Sequence, residues 1–310
     1  MKALVPIAAA LAVSLWLSTS VAPASRSSPE AQCSLSSTKL VPLTDMGRRK
    51  YRGRRGGLYP AGRNRPTPSY QRKGLAAARQ VHPIDGKIVF VSVGMSNTSL
   101  EFAAFKRAAD QDLSKSQSVT IVDGAQDGWD AERIRKQPAY WDTLDQRLEE
   151  AGVSANQVQV AWLKEAIAGE ARRFPKDAAA LQADLRAIVR TMRVRYPNLR
   201  LVYLSSRTYG GYAITGLNPE PAAYDGAFAV RGLIQERMIG KLKGPWLAWG
   251  PYLWTDGLRG RRDGLIWTCD DVQDDGTHPS KSGVQKVVTM LMAFVKSDPT
   301  ARRWFVERPG

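Results

Sequence analysis

The sequence predicts an α/β fold, a three-layer sandwich with helices on both faces of a central parallel sheet of about five strands. Two observations predict it. Short β-branched, apolar runs bounded by Gly or Asp alternate with longer stretches whose apolar residues recur at helical spacing. The alternation is regular and there is no internal repeat, so each strand is followed by a crossover helix and the strands run parallel. The composition, 43% hydrophobic and 24% charged over 310 residues, suits a globular chain with a sizeable core and excludes overall disorder.

The elements follow in order. Residues 87–93 (Lys-Ile-Val-Phe-Val-Ser-Val) read as the first buried strand, and 100–109 as the helix after it. Residues 118–122 form the second strand, ending at Asp123-Gly124. Trp141, Leu144 and Leu148 line a helix that stops near Gly152. Residues 158–162 are the third strand. Leu181, Leu185, Ile188, Val189 and Met192 make one stripe of a long helix after Pro175. Residues 199–204 are the fourth strand, Val230, Leu233, Ile234 and Met238 mark a helix, and 245–249 are the fifth strand. Val284, Val287, Val288, Leu291 and Phe294 stripe the last helix. The body is thus assigned to residues 81–297, with a short tail at 298–310.

The N-terminal part has a different character. Residues 3–17 are apolar and follow Lys2, and Ala22-Pro23-Ala24 resembles a small-residue cleavage site, so residues 1–24 read as a secretory signal peptide. Export, to the periplasm or the medium, is the expected localisation. Residues 25–80 are a basic, Gly/Pro-rich extension carrying +11 of the net +16, and residues 81–310 hold only about +4. Eleven Lys or Arg and no acid lie between Gly47 and Gln80. Such an arm can be a solvated linker dispensable for chemistry, or a site for anionic polymer. Tyr51, Tyr59 and Tyr70, interleaved with the charges, could stack on bases, but export argues against a specific nucleic-acid partner. Residues 56–62 are turn-rich with apolar anchors and suit packing on the body. Cys33 and Cys269 form either one disulfide or two free thiols.

Function is sought at the carboxyl ends of the strands, where sites of open α/β sheets lie. Gly94-Met95-Ser96-Asn97 follows the first strand, Asp123-Gly124 the second, Leu163-Lys164-Glu165 the third, and residues 205–212 the fourth. Asp275-Gly276-Thr277-His278 precedes the last helix. Imidazole is the natural proton shuttle near neutrality, and a carboxylate three residues earlier can orient it. Gly276 permits a tight path between them, and Pro279 suits a helix's first turn. A serine at a strand-to-helix turn is either an exposed nucleophile beside helix N-terminal amides or an N-cap. His82, before Pro83, reads as structural.

This set, in this order, resembles the SGNH or GDSL hydrolase superfamily, as a divergent exported bacterial member, over about residues 85–297. Gly94-Met95-Ser96 stands for the family's Gly-Asp-Ser block, Gly124 for the second-block glycine, and Asp275 to His278 for the Asp-x-x-His block. Met95 replaces the usual Asp, and Lys164 takes the place of the third-block Asn. The resemblance implies the family's flavodoxin-like fold and a serine esterase. Ser96 is then the nucleophile, His278 the base and Asp275 its orienter. Gly124, Lys164 and Asn97 are the oxyanion or substrate-binding candidates. It implies no metal or organic cofactor. The expected partner is an ester substrate, with acylated polysaccharide as the candidate. Trp129, Tyr209, Tyr212, Tyr252 and Trp254 could stack on sugar rings. Two other readings stay open: a non-catalytic polysaccharide-binding protein on the same fold, and a metal-dependent phosphoester hydrolase using Asp256, Asp263, Asp270 and Asp271.

Overall fold

The computed structural model describes residue 1 and residues 31–169 and 173–307. The signal-peptide expectation falls outside the described residues. In chain order the elements are α1 (Leu43–Met46), β1 (Lys50–Tyr51), β2 (Arg54–Arg55), α2 (Pro68–Arg79), β3 (Ile88–Gly94), α3 (Ser96–Asp110), β4 (Val119–Val122), α4 (Ala131–Lys136), α5 (Ala139–Glu150), β5 (Val158–Lys164), α6 (Lys176–Arg195), β6 (Leu201–Ser205), α7 (Ala222–Met238), β7 (Trp246–Trp249), α8 (Lys281–Ser297) and α9 (Arg302–Phe305).

The main sheet has five strands in the order β4-β3-β5-β6-β7, every neighbouring pair parallel. The predicted fold class is therefore the observed one. Strands β3 and β5 are buried along their whole length, as expected for strands covered on both faces. One face carries α3 and α8, which pack on each other, with α9 and α2; the other carries α4, α6 and α7. The strand order reverses direction beside β3, so the carboxyl ends of β3, β4 and β5 open onto one crevice.

The described segments before and after the sheet are both tied into this body. Phe90 of β3 meets Trp304 edge-on at 5.2 Å, and Phe105 meets Phe305 at 6.4 Å. The segment read as a tail therefore closes the core on the α3 face. The extension is docked and not a solvated arm. Tyr70 is 3% exposed and its hydroxyl donates to the Leu247 carbonyl at 2.9 Å, while the Trp249 indole donates to the Leu58 carbonyl at 2.6 Å. Tyr51 stacks on Phe228 at 5.6 Å. A side chain at Gly74 would run into the Trp246 ring at 2.4 Å, so α2 needs glycine there to lie against β7. The three tyrosines considered for base stacking are thus packing anchors. The eleven basic side chains are all exposed. Charge faces water and rings face the body, because burying an unpaired cation is costly and burying an aromatic ring is favourable.

Cys33 and Cys269 form a disulfide with Cα atoms 5.4 Å apart, closing a separation of 236 residues. Loop closure of that length adds roughly 5 kcal/mol in the chain-entropy model. Nearby, Asp256 accepts from Ser37 Oγ at 2.6 Å and from the Thr38 amide and hydroxyl at 2.7 Å. Among the described residues, no helix is long and apolar enough to cross a membrane.

Deleting residues 34–80 should strip cover from Trp246, Trp249, Tyr224 and Tyr252. The truncated protein should bind a hydrophobic dye and melt at least several degrees below the full chain. A melt unchanged by the deletion would contradict the docked arrangement.

Candidate active site

Ser96 is the first residue of α3, and Met95, which carries no capping side chain, is the N-cap. The Ser96 hydroxyl is therefore not spent on the helix. It lies 2.8 Å from His278 Nε2, and His278 Nδ1 lies 2.5 Å from Asp275 Oδ2. The other Asp275 oxygen accepts the amides of Thr277 and His278, both at 2.9 Å. Burial raises the Asp275 pKa, but these amides and the ring more than offset it, and the carboxyl sits below its usual value. Asp275 is thereby kept ionised toward His278.

The backbone around these groups is sterically determined. A side chain on Gly94 would collide with Thr98 Oγ1 and the Lys164 carbonyl, 2.4 and 2.5 Å away. Gly276 has φ of +66° and its Cα faces the Tyr212 carbonyl so closely that a Cβ would lie 1.7 Å from it. Only glycine allows the loop to turn here and deliver His278. Asn97 Nδ2 donates to the Thr277 carbonyl at 2.8 Å, tying the start of α3 to the histidine loop. Ser280, accepting from the Gly283 amide, caps α8, so Pro279 lies one residue outside the helix and not in its first turn.

A cavity of about 470 Å³ opens over the pair, lined by Ser96, Asn97, Thr277 and His278 together with Met95, Asp127, Gly128, Asp130, Arg133, Ala168, Arg207, Leu217 and Asn218. Of the six predicted site residues, Ser96, Asn97 and His278 line it, and Asp275 stands behind His278.

Gly124 and Lys164 do not. The Gly124 amide donates to Ser92 Oγ at 3.0 Å, and a Cβ there would meet Leu144, so this glycine serves the packing of β4 on α5. Gly128, with φ of +73°, lines the cavity instead, and its amide has no acceptor among the described residues. The only signal for it in the sequence is the turn dipeptide Asp127-Gly128.

Lys164 is 1% exposed, and its ammonium is held by both oxygens of Glu101 at 2.6 and 2.5 Å. Burial, only partly offset by Glu101, lowers its pKa from 10.5 to about 8. An ammonium engaged in this way beneath the site is a structural ion and not an oxyanion donor. Beside it, Glu165 is wholly buried; Oε2 accepts the Ala166 amide at 2.9 Å and Oε1 has no partner. Burial drives the Glu165 pKa well up, favouring the neutral acid.

Other sequence candidates resolve as packing. Tyr209, Tyr212, Tyr252 and Trp254 are buried, leaving only Trp129 half-exposed, under the Arg133 guanidinium. Three of the four acids of the late loop have separate partners. Asp256 binds Ser37 and Thr38, Asp263 pairs with Arg261, and Asp271 pairs with Lys286. Among the described residues, no group of three or more His, Cys, Asp or Glu side chains could hold a metal ion. His82 has a structural role through its backbone, which exchanges hydrogen bonds with the Gln159 side chain.

The loop between β6 and α7 is pinned by Glu220. Its Oε1 accepts from the Gly210 amide at 2.8 Å and the Trp254 indole at 2.7 Å. Burial, opposed by these bonds, raises its pKa from 4.5 to about 7. The folded protein thus holds a proton that the unfolded chain releases, and this stabilisation is lost as pH rises from about 4.5 through about 7. Thermal melts at pH 5 and pH 8 should show the wild type losing stability toward pH 8. Glu220→Gln, with no proton to lose, should narrow the difference.

Replacing Lys164 by Met should leave Glu101 buried without a counterion and cost about 3–5 kcal/mol in denaturant unfolding. Pairing it with Glu101→Leu should recover most of that. An additive double mutant would mean that the two side chains do not form the buried pair.

No protein-family model matches the chain, and no curated protein matches it in sequence. Among solved structures it is similar to a carbohydrate esterase family 3 protein from Talaromyces cellulolyticus, at 14% identity and TM-score 0.42, covering 66% of this chain and 94% of that one. It is also similar to the periplasmic domain of a lipopolysaccharide acetyltransferase from Salmonella ser. Paratyphi A, at 10% identity and TM-score 0.39, covering 72% and 94%.

Proposed function

We propose that the protein is a serine hydrolase of SGNH type that cleaves carboxylic esters. The observation that carries this reading is the unbroken chain from Ser96 Oγ through the His278 ring to Asp275, opening into a cavity large enough for a small acyl ester. A serine used only for packing would have no reason to face a histidine whose other nitrogen is held by a carboxylate.

In the reaction, Ser96 Oγ attacks the acyl carbon while neutral His278 accepts its proton at Nε2. The resulting imidazolium is stabilised by Asp275. The oxyanion forms beside the amides at the start of α3, Ser96 among them, which have no acceptor within the helix, and beside the Gly128 amide. The departing alcohol takes the proton back from His278. Water then repeats the sequence in reverse to release the acid and free Ser96.

The exposed basic face of the extension supports retention on an anionic polymer, and an acylated polysaccharide is the substrate that would bring the two features together. The Cys33–Cys269 disulfide supports an oxidising compartment and hence export.

Ser96→Ala and His278→Ala should each lower kcat on an aryl acetate by about 10³-fold or more, with the double variant little worse than either. Asp275→Asn should lose less. A fluorophosphonate probe should label the wild type and not Ser96→Ala. Full turnover by folded Ser96→Ala would reject the nucleophile.

A further inference from the structure

Arg207 lies two residues beyond the end of β6 and lines the cavity with Ser96 and His278. It is 5% exposed, yet its side chain donates no hydrogen bond to any described residue. That is unusual. A guanidinium has five donors, and buried ones are normally satisfied. Arg237 illustrates the ordinary case, donating to the carbonyls of Gly244 and Pro245.

The surrounding charges do not neutralise it by contact. Glu101 is held by Lys164, and Asp275 is committed to His278 and two amides. Glu165 is wholly buried, with one oxygen on the Ala166 amide and the other without a partner. None of the three makes a salt bridge to Arg207. Arg207 lines the cavity, so an acceptor for its free donors can come from a molecule bound there.

We propose that Arg207 is a specificity determinant that binds a carboxylate borne by the ester substrate, so that the site selects esters carrying a negative charge close to the scissile bond. This rests on the ester-hydrolase reading and names the substrate class within it. A guanidinium fork matches a carboxylate in a planar, two-point contact. Asn218 also lines the cavity, and its buried Oδ1 has no hydrogen-bond partner. The carboxylate can reside on the acyl half, as in a dicarboxylic half-ester, or on the alcohol half, as in an O-acylated uronic acid.

The test compares matched esters with the full chain. 4-Nitrophenyl hemisuccinate is set against 4-nitrophenyl acetate, and methyl O-acetylgalacturonide against methyl O-acetylgalactoside. The wild type should prefer at least one charged member by about 10- to 100-fold in kcat/KM, mainly through KM, and the pair that shows it identifies the half carrying the charge. Arg207→Met should abolish that ratio and Arg207→Lys should restore part of it. Because the ratio is taken within one preparation, the folded fraction cancels. No preference in the wild type, or an Arg207→Met variant that slows both members equally, would overturn the proposal; the second result would put Arg207 on the developing oxyanion.

Calorimetric binding of N-phenylsuccinamate to Ser96→Ala and to Ser96→Ala/Arg207→Met separates the two readings. Arg207-dependent binding without turnover of any ester keeps the carboxylate site and rejects ester hydrolysis. Turnover without an Arg207-dependent charge preference does the reverse. Neither turnover nor binding rejects both.

Discussion

The contact between Ser96 Oγ and His278 Nε2 joins residues 182 positions apart, and much of the molecule serves to hold those two segments together. Helices α3 and α8, which carry or follow the two residues, pack on each other over the same face of the sheet. Asn97 clamps the Thr277 carbonyl, and the Ile214 amide donates to the Asp275 carbonyl at 3.2 Å. Gly276 lets the histidine loop press against Tyr212. The disulfide at Cys269 anchors the chain six residues before Asp275. A hydrogen bond between a serine and an imidazole is weak in water, and it persists here because packing has already removed the freedom of both side chains.

Beneath that contact is a second layer of charge. Lys164 at the end of β5 and Glu101 on α3 form an ion pair with no exposed side-chain surface. Thr98 adds a hydrogen bond from α3 to the Lys164 carbonyl at 2.7 Å. The helix that carries Ser96 is therefore fastened to the adjacent strand by both backbone and side chain. A buried ion pair adds little net stability over an apolar pair, but it tolerates only one relative placement of its partners. In this protein it sets how α3 lies across β5. Arg207 sits near the same carboxylates without joining the pair.

The extension shows how composition can mislead about order. A run of eleven cations without an acid has the composition of a solvated arm, yet apolar anchors set between the charges find places on β6, β7 or α7. Leu43, Leu58, Tyr59 and Tyr70 are buried in the same core as the strands. The charged side chains simply project outward. The region is a basic outer surface on a packed layer, contiguous with the body that holds the site.

Most of the fold was legible in the sequence, because alternating strand and helix periodicity is local and right-handed crossovers leave few topologies to choose between. The five strands fall where the β-branched runs are, and Ser96, Asp275 and His278 could be singled out as candidates because their spacing relative to those elements is itself a local pattern. What the tertiary structure alone decided is the direction and partner of each polar group. It placed Gly128 and not Gly124 at the cavity, since Ser92, 32 positions away from Gly124, takes that amide. It turned Lys164 down to Glu101, 63 positions away, and left Arg207, which the sequence shows only as one residue of a loop, facing the cavity. It also buried four of the five aromatic rings that could have met a sugar. Periodicity reports which face of an element is apolar, whereas the pairing of buried polar atoms depends on which distant residue packing brings within 3 Å.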